Sequence, residues 1–153
     1  MSATPTPDST ATAESDDVAT LQAALRAEHA AIYGYGYIGA HLSEDARERS
    51  RAYLDAHRDS RDRLRDELVA LGAQPAATQS AYQLPDSDDE AGLSQYAALL
   101  EQTTGQAYLE LAAATAPPLR DLAARALQTA TVRALSWGAE NVAFPGFPDG
   151  EPA

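Results

Sequence analysis

Two glutamates and a histidine carry most of the chemistry open to this sequence, and each stands on or beside a helical stripe of apolar residues. Glu28 belongs to Leu21, Leu25, Glu28, Ile32, Tyr35, Gly39 and Leu42, whose three- and four-residue spacing marks one face of a helix. His57 lies on a second stripe formed by Ala46, Ser50, Tyr53, His57, Ser60, Leu64 and Leu71. Glu101 flanks a third, Leu93, Ala97, Leu100, Thr104, Ala107 and Leu111. Arg133 falls on a fourth, Leu119, Ala123, Ala126, Ala130, Arg133 and Trp137. A buried acid without a partner costs several kcal/mol, comparable to the net stability of a domain. It must therefore meet a metal, a basic side chain or a proton.

Four helices would position these residues. The periodicity predicts the first from about Asp17 to Leu42 and the second from about Ser43 to Leu71, with Gly72 as its C-terminal cap. Ser87-Asp88-Asp89-Glu90 has the form of a capping box and opens a third, which runs to about Ala114. Pro117-Pro118 stops that helix and starts the fourth, which ends near Gly138. No useful segment has the period of a strand, so the class is all-α.

The connections set the topology. Helices one and two meet at Ser43, and helices three and four meet at the proline pair, giving two antiparallel hairpins. Gly72 to Pro85 would span roughly 50 Å when extended, against ~42 Å for a helix of about 28 residues. It can cross the whole bundle, as in a four-helix bundle made of two hairpins joined by a long crossover. Glu28 stands fifteen residues before Ser43 and His57 fourteen after it, so they reach the same depth. Glu101 and Arg133 lie about sixteen residues either side of the second turn, so all four converge on one layer. Residues 1–16 are rich in Ser, Thr, Ala and Pro and are predicted to be a disordered tail. The bundle is expected over 17–143, and the aromatic 144–153 segment is expected to fold back onto it.

Composition removes several classes of function. A net charge of −12 argues against a nucleic-acid partner, which needs clustered positive charge. Absence of cysteine excludes disulfides and thiolate metal sites. Nothing resembles a phosphate loop, and there is no lysine to contact a phosphate. No segment approaches a membrane span, and the N-terminus lacks the basic start and apolar stretch of a secretory signal, so a cytoplasmic address is expected.

Two antiparallel pairs with a glutamate on helices one and three resemble the ferritin-like di-iron carboxylate superfamily, whose other two helices carry Glu-x-x-His. Residue by residue, Glu28 and Glu101 match the lone glutamates, and His57 matches the histidine of helix two. Leu54 stands where that pattern has glutamate, and Ala130 and Arg133 replace the Glu and His of helix four. More narrowly, the chain is similar to DUF4439, an actinobacterial ferritin-like family of unknown function. The similarity is carried by Ala27 to Gly36, Ala56-His57-Arg58, Ala81 to Pro85 and Phe144-Pro145-Gly146, across about residues 17–148. It implies a ferritin-like fold with a degenerate di-iron site, and no settled activity.

A metal-free polar network of Glu28, His57, Glu101 and Arg133 is the favoured expectation. A permanent guanidinium opposes a neighbouring dication, whereas it could hold Glu101 through two parallel hydrogen bonds while His57 holds Glu28. On this reading there is no cofactor and no catalytic residue, and the balance is against an enzyme. The alternatives are an iron or manganese site on Glu28, His57 and Glu101, serving an oxidase or metal store, and a small-ligand site in an acid- and tyrosine-lined cavity. Tyr33 to Gly39 alternates rings and glycines. Close packing is the favoured reading there, over phenols that hydrogen-bond the acids; Tyr53 and Tyr108 raise the same choice. His29 is expected to be exposed or at a flank, and His41 to serve as a cap near the end of helix one. Small-residue faces on helices three and four would suit a homodimer or an unidentified protein partner.

Overall fold

The computed structural model describes residues 9–147 and Pro152. Among these are four helices and no strand: α1 (Ser9–His41), α2 (Glu44–Ala70), α3 (Glu90–Leu111) and α4 (Pro117–Ser136). The class and the four-helix architecture are those expected. One boundary differs: α1 begins at Ser9, so residues 9–16, predicted disordered, are helical. Both prolines of the predicted tail, Pro5 and Pro7, precede Ser9, and no proline or glycine follows them before Asp17. The predicted tail's residues 1–8 lie outside the described residues, as do 148–151 and 153.

Local chemistry explains the helix ends. Gly72 takes a positive φ of 74° after α2, and the N–H of Ala73 bonds back to the carbonyl of Leu68 at 2.9 Å. Pro117 opens α4 in a position where its missing N–H costs nothing. The N-cap of α3 is Asp89, not Ser87; its Oδ1 accepts from the N–H of Gly92 at 2.7 Å. Asp17, predicted to start the first helix, lies inside α1 and is buried. Its carboxylate accepts from the N–H groups of Thr115 (2.8 Å) and Ala116 (3.3 Å), where the turn enters α4 and the helix dipole favours an anion.

Contacts along the crossover fix the direction of each helix. Residues 71–89 run along α1 from Gln22 to Tyr37. The Gln22 side chain bonds the backbone of Gln74 and Ala76, His29 bonds the Ala76 carbonyl, Tyr33 packs on Tyr82, and Tyr37 donates to Asp88. The chain therefore enters α3 beside the α1–α2 hinge, making α2 and α3 parallel and each hairpin antiparallel. His29 is thus mostly buried, not exposed, and anchors the crossover on the flank of α1.

The apolar core has two parts. One, built on Leu21, Leu25, Leu64, Leu68, Leu111 and Leu119, lies toward the α3–α4 turn. The other, built on Ala31, Ile38, Leu42, Leu93, Ala97 and Trp137, lies toward the α1–α2 hinge. A polar layer separates them. α1 packs against α2 and α3, and α4 packs against α3, but α2 and α4 are not in backbone contact. A cleft of about 370 Å³ between them descends to Glu28, His57 and Tyr108. No described helix is long and apolar enough to cross a membrane.

Candidate functional site

The dividing layer is an acid–imidazole–acid relay. His57 comes from α2, where Ser50, His57 and Leu64 repeat at seven-residue intervals on the buried face. Its Nδ1 lies 2.6 Å from Oε2 of Glu28 on α1, and its Nε2 lies 3.0 Å from Oε1 of Glu101 on α3. All three side chains are almost completely inaccessible to solvent. With an acceptor at each ring nitrogen, the arrangement is that of an imidazolium donating both N–H groups. Burial works against its charge, but the hydrogen bonds and negative charges of Glu101 and Glu28 override it and hold the His57 pKa at about 9.

Two tyrosines extend the relay. Tyr108 on α3 donates to Oε1 of Glu28 at 2.6 Å, and Tyr35 on α1 donates to Oε1 of Glu101 at 2.6 Å. Trp137 donates its indole N–H to the Tyr35 oxygen at 2.9 Å, and the Tyr35 ring stacks on His57. Burial pushes both phenols well above the ordinary tyrosine range, and the carboxylate each one serves adds to the effect. Both oxygens of Glu28 are thereby satisfied. Glu101 is not: its Oε2 is buried and has no hydrogen-bond partner among the described residues.

Three of the four residues expected in this layer therefore meet, and Arg133 does not. No carboxylate lies within ion-pair distance of its guanidinium among the described residues; the group sits over the Tyr53 ring, 5.1 Å from its centroid. Arg133 is half-buried, on the rim of the α2–α4 cleft. The buried stripe of α4 runs through Leu119, Ala123, Ala130, Ala134 and Trp137, which leaves Arg133 about 100° to one side of Ala134. Burying an unpartnered guanidinium would be costly, and the helix is oriented so that it does not have to.

The glycines among the tyrosines of α1 fit the packing expectation in part. A Cβ at Gly34 would come within 2.4 Å of a Leu100 methyl and 2.9 Å of the Tyr96 hydroxyl, so that glycine makes room for side chains of α3. Tyr35 and Tyr108 nevertheless serve the acids, while Tyr53 instead shares a hydrogen bond with Ser136 at 3.0 Å. Tyr35 and Tyr108 were detectable as ring-bearing residues on the same buried faces as the acids.

The described side chains of this layer are not arranged as a metal centre. Glu28 and Glu101 sit at opposite nitrogens of one imidazole, so an ion bound at either nitrogen cannot also reach the far carboxylate. Leu54 packs with the apolar cluster and Ala130 offers no donor atom. No group of three His, Asp or Glu side chains among the described residues is arranged to hold an ion.

Fold and site together define an all-α protein whose two helical hairpins enclose a hydrogen-bonded acid–imidazole–acid core. The chain belongs to the family described as a domain of unknown function, DUF4439, whose model matches residues 20–149. It is similar to a conserved hypothetical protein from Mycobacterium tuberculosis known from its crystal structure, with 32% sequence identity, a TM-score of 0.76, and coverage of 80% of this chain and 95% of that one. A search of curated proteins finds no significant match.

Proposed function

We propose that the chain is a non-enzymatic, metal-free ferritin-like bundle with a structural or protein-interaction role, in which a degenerate di-iron site has become a proton-held polar core. The observation that carries this reading is His57 seated between Glu28 and Glu101 with an acceptor at each ring nitrogen. The imidazolium supplies the positive charge that a metal would otherwise bring. A titratable cation in that place needs no open coordination position.

Metal analysis of protein produced in iron- and manganese-supplemented medium, then desalted, tests this. The expected content is far below one ion per chain. Near-stoichiometric iron or manganese, lost in Glu28→Ala, would overturn the proposal in favour of a metal-dependent oxidase or metal store.

A further inference from the structure

Charge is spread unevenly over the molecule. α2 carries seven arginines and eight acids among its 27 residues. On α3 the only charged residue between Ala91 and Leu109 is Glu101, and it is buried. The side chains exposed along that stretch are Ala91, Gln95, Leu99, Gln102, Thr103 and Gln106. The neighbouring surface continues the pattern. Leu99, Leu135 on α4, and Val142 and Phe147 of the C-terminal segment line one cavity of about 460 Å³. Val132 lies one helical turn before Leu135, and the Phe144 ring packs edge-on against Phe147. Leu99 and Val132 are 56% and 60% exposed. These apolar groups therefore form one connected patch, which single exposed side chains do not. Among the described residues lining the cavity, Glu140 is the one exposed charge; Arg133 borders the α2–α4 cleft instead.

The C-terminal part of the patch is held against α3. Gly146 has a φ of 90°, and a Cβ there would lie 3.0 Å from Leu109 Cβ and 3.2 Å from the Gly105 carbonyl. Only glycine lets the chain approach α3 this closely.

A surface of this chemistry complements itself. In a twofold contact the same patch is used by both copies, so residues near the axis meet their own counterparts. A charged residue there faces a like charge. Glutamine and threonine carry donor and acceptor on one side chain, so each can pair with its own kind. Two chains of charge −12 repel each other, and a face without exposed charge is where they approach at least cost. A partner selected by opposite charge would be drawn to charged surfaces such as α2. Depletion of charge around an apolar centre is also the composition of an interface core.

We propose that two copies of this chain associate as a twofold dimer through the α3–α4 face. Leu99, Val132 and Leu135 pack between the copies, and the glutamines of α3 hydrogen-bond across the contact. The inference rests on the protein-interaction reading and names its partner as a second copy.

Sedimentation velocity on the full chain, from about 1 to 200 µM, tests this, with a dimer Kd of roughly 1–10 µM expected. Raising the salt from about 0.05 to 0.5 M should tighten the dimer, because it screens repulsion between the two acidic chains. Leu99→Arg and Val132→Arg should each weaken it at least about tenfold by placing an unpaired charge in the contact. Both positions are exposed in the single chain, and circular dichroism checks that the fold is kept. Val69→Arg makes the same change of charge at a 63% exposed position on α2 and should leave the Kd unchanged. A chain that stays monomeric at about 200 µM would overturn the proposal. So would a dimer that salt loosens, one indifferent to both Leu99→Arg and Val132→Arg, or one weakened equally by Val69→Arg. Metal is measured on the same samples. A metal-free monomer overturns this inference alone, whereas near-stoichiometric metal overturns the metal-free reading whatever the oligomeric state.

Discussion

The two hairpins carry the same inventory, an acid and a base at equal distances from the turn, and they use it differently. In the first, Glu28 and His57 meet at 2.6 Å. In the second, Glu101 and Arg133 part: the acid turns to His57 of the other hairpin and the arginine turns to Tyr53. Counting residues from a turn sets depth along the bundle. Whether two side chains meet depends on the angular face each helix buries, and here a shift of one position on α4 decided it. The cation that can give up its proton was buried between two acids, and the cation that cannot was left at the cleft rim. The resulting core depends on protonation.

That contrast can be broken most severely at His57. His57→Leu keeps much of the volume but leaves Glu28 and Glu101 buried without their shared cation. Removing one partner from a buried pair costs about 3–5 kcal/mol, so urea unfolding at neutral pH should show a loss of that order. A variant as stable as the parent would mean that the imidazolium is not what holds the acids. A change of pH gives a somewhat smaller effect without mutation. The His57 pKa is raised in the folded state, so its contribution is complete below about 6.5, the unfolded value, and is lost as pH rises through about 9. The loss across that window is on the order of 3 kcal/mol. Unfolding curves taken across it should show the decline, and the same series on His57→Leu should be flatter. Equal slopes in the two proteins would assign the pH dependence to other groups.

Much of this layer was legible in the sequence because its residues violate a strong pattern. Glu28 and His57 interrupt apolar stripes at positions that chain counting places opposite one another, and both turned out to be buried and paired. The crossover was legible from its length alone. Arg133 was misplaced because Ala126, Ala130, Arg133 and Trp137 keep helical spacing as well as Ala130, Ala134 and Trp137 do, and alanine gives almost no contrast between them. Tyr35 and Tyr108 were ambiguous because a tyrosine ring fills a core whether or not its hydroxyl has an assignment. Asp17 looked like a helix start, and its partner, the turn at Thr115 and Ala116, is remote in sequence. The open seam between α2 and α4 had no sequence signal, since both helices have small residues that could have packed.

Arg133 provides the smallest effect and the finest test of the comparison. If its guanidinium is held by the Tyr53 ring alone, Arg133→Ala removes a partly exposed cation–π contact and should cost only about 0.5–1 kcal/mol in urea unfolding. The mutated side chain borders the cleft that leads to Glu28 and His57, so NMR signals of the His57 ring nitrogens should be followed in the same variant. They should keep the doubly protonated pattern at neutral pH, because the two acceptors that impose it remain in place. A loss comparable to that of His57→Leu, or a His57 ring that gives up a proton near neutrality, would return the guanidinium to the polar layer. The second hairpin would then be closed through Arg133 after all, and the asymmetry between the hairpins would be one of distance rather than of role.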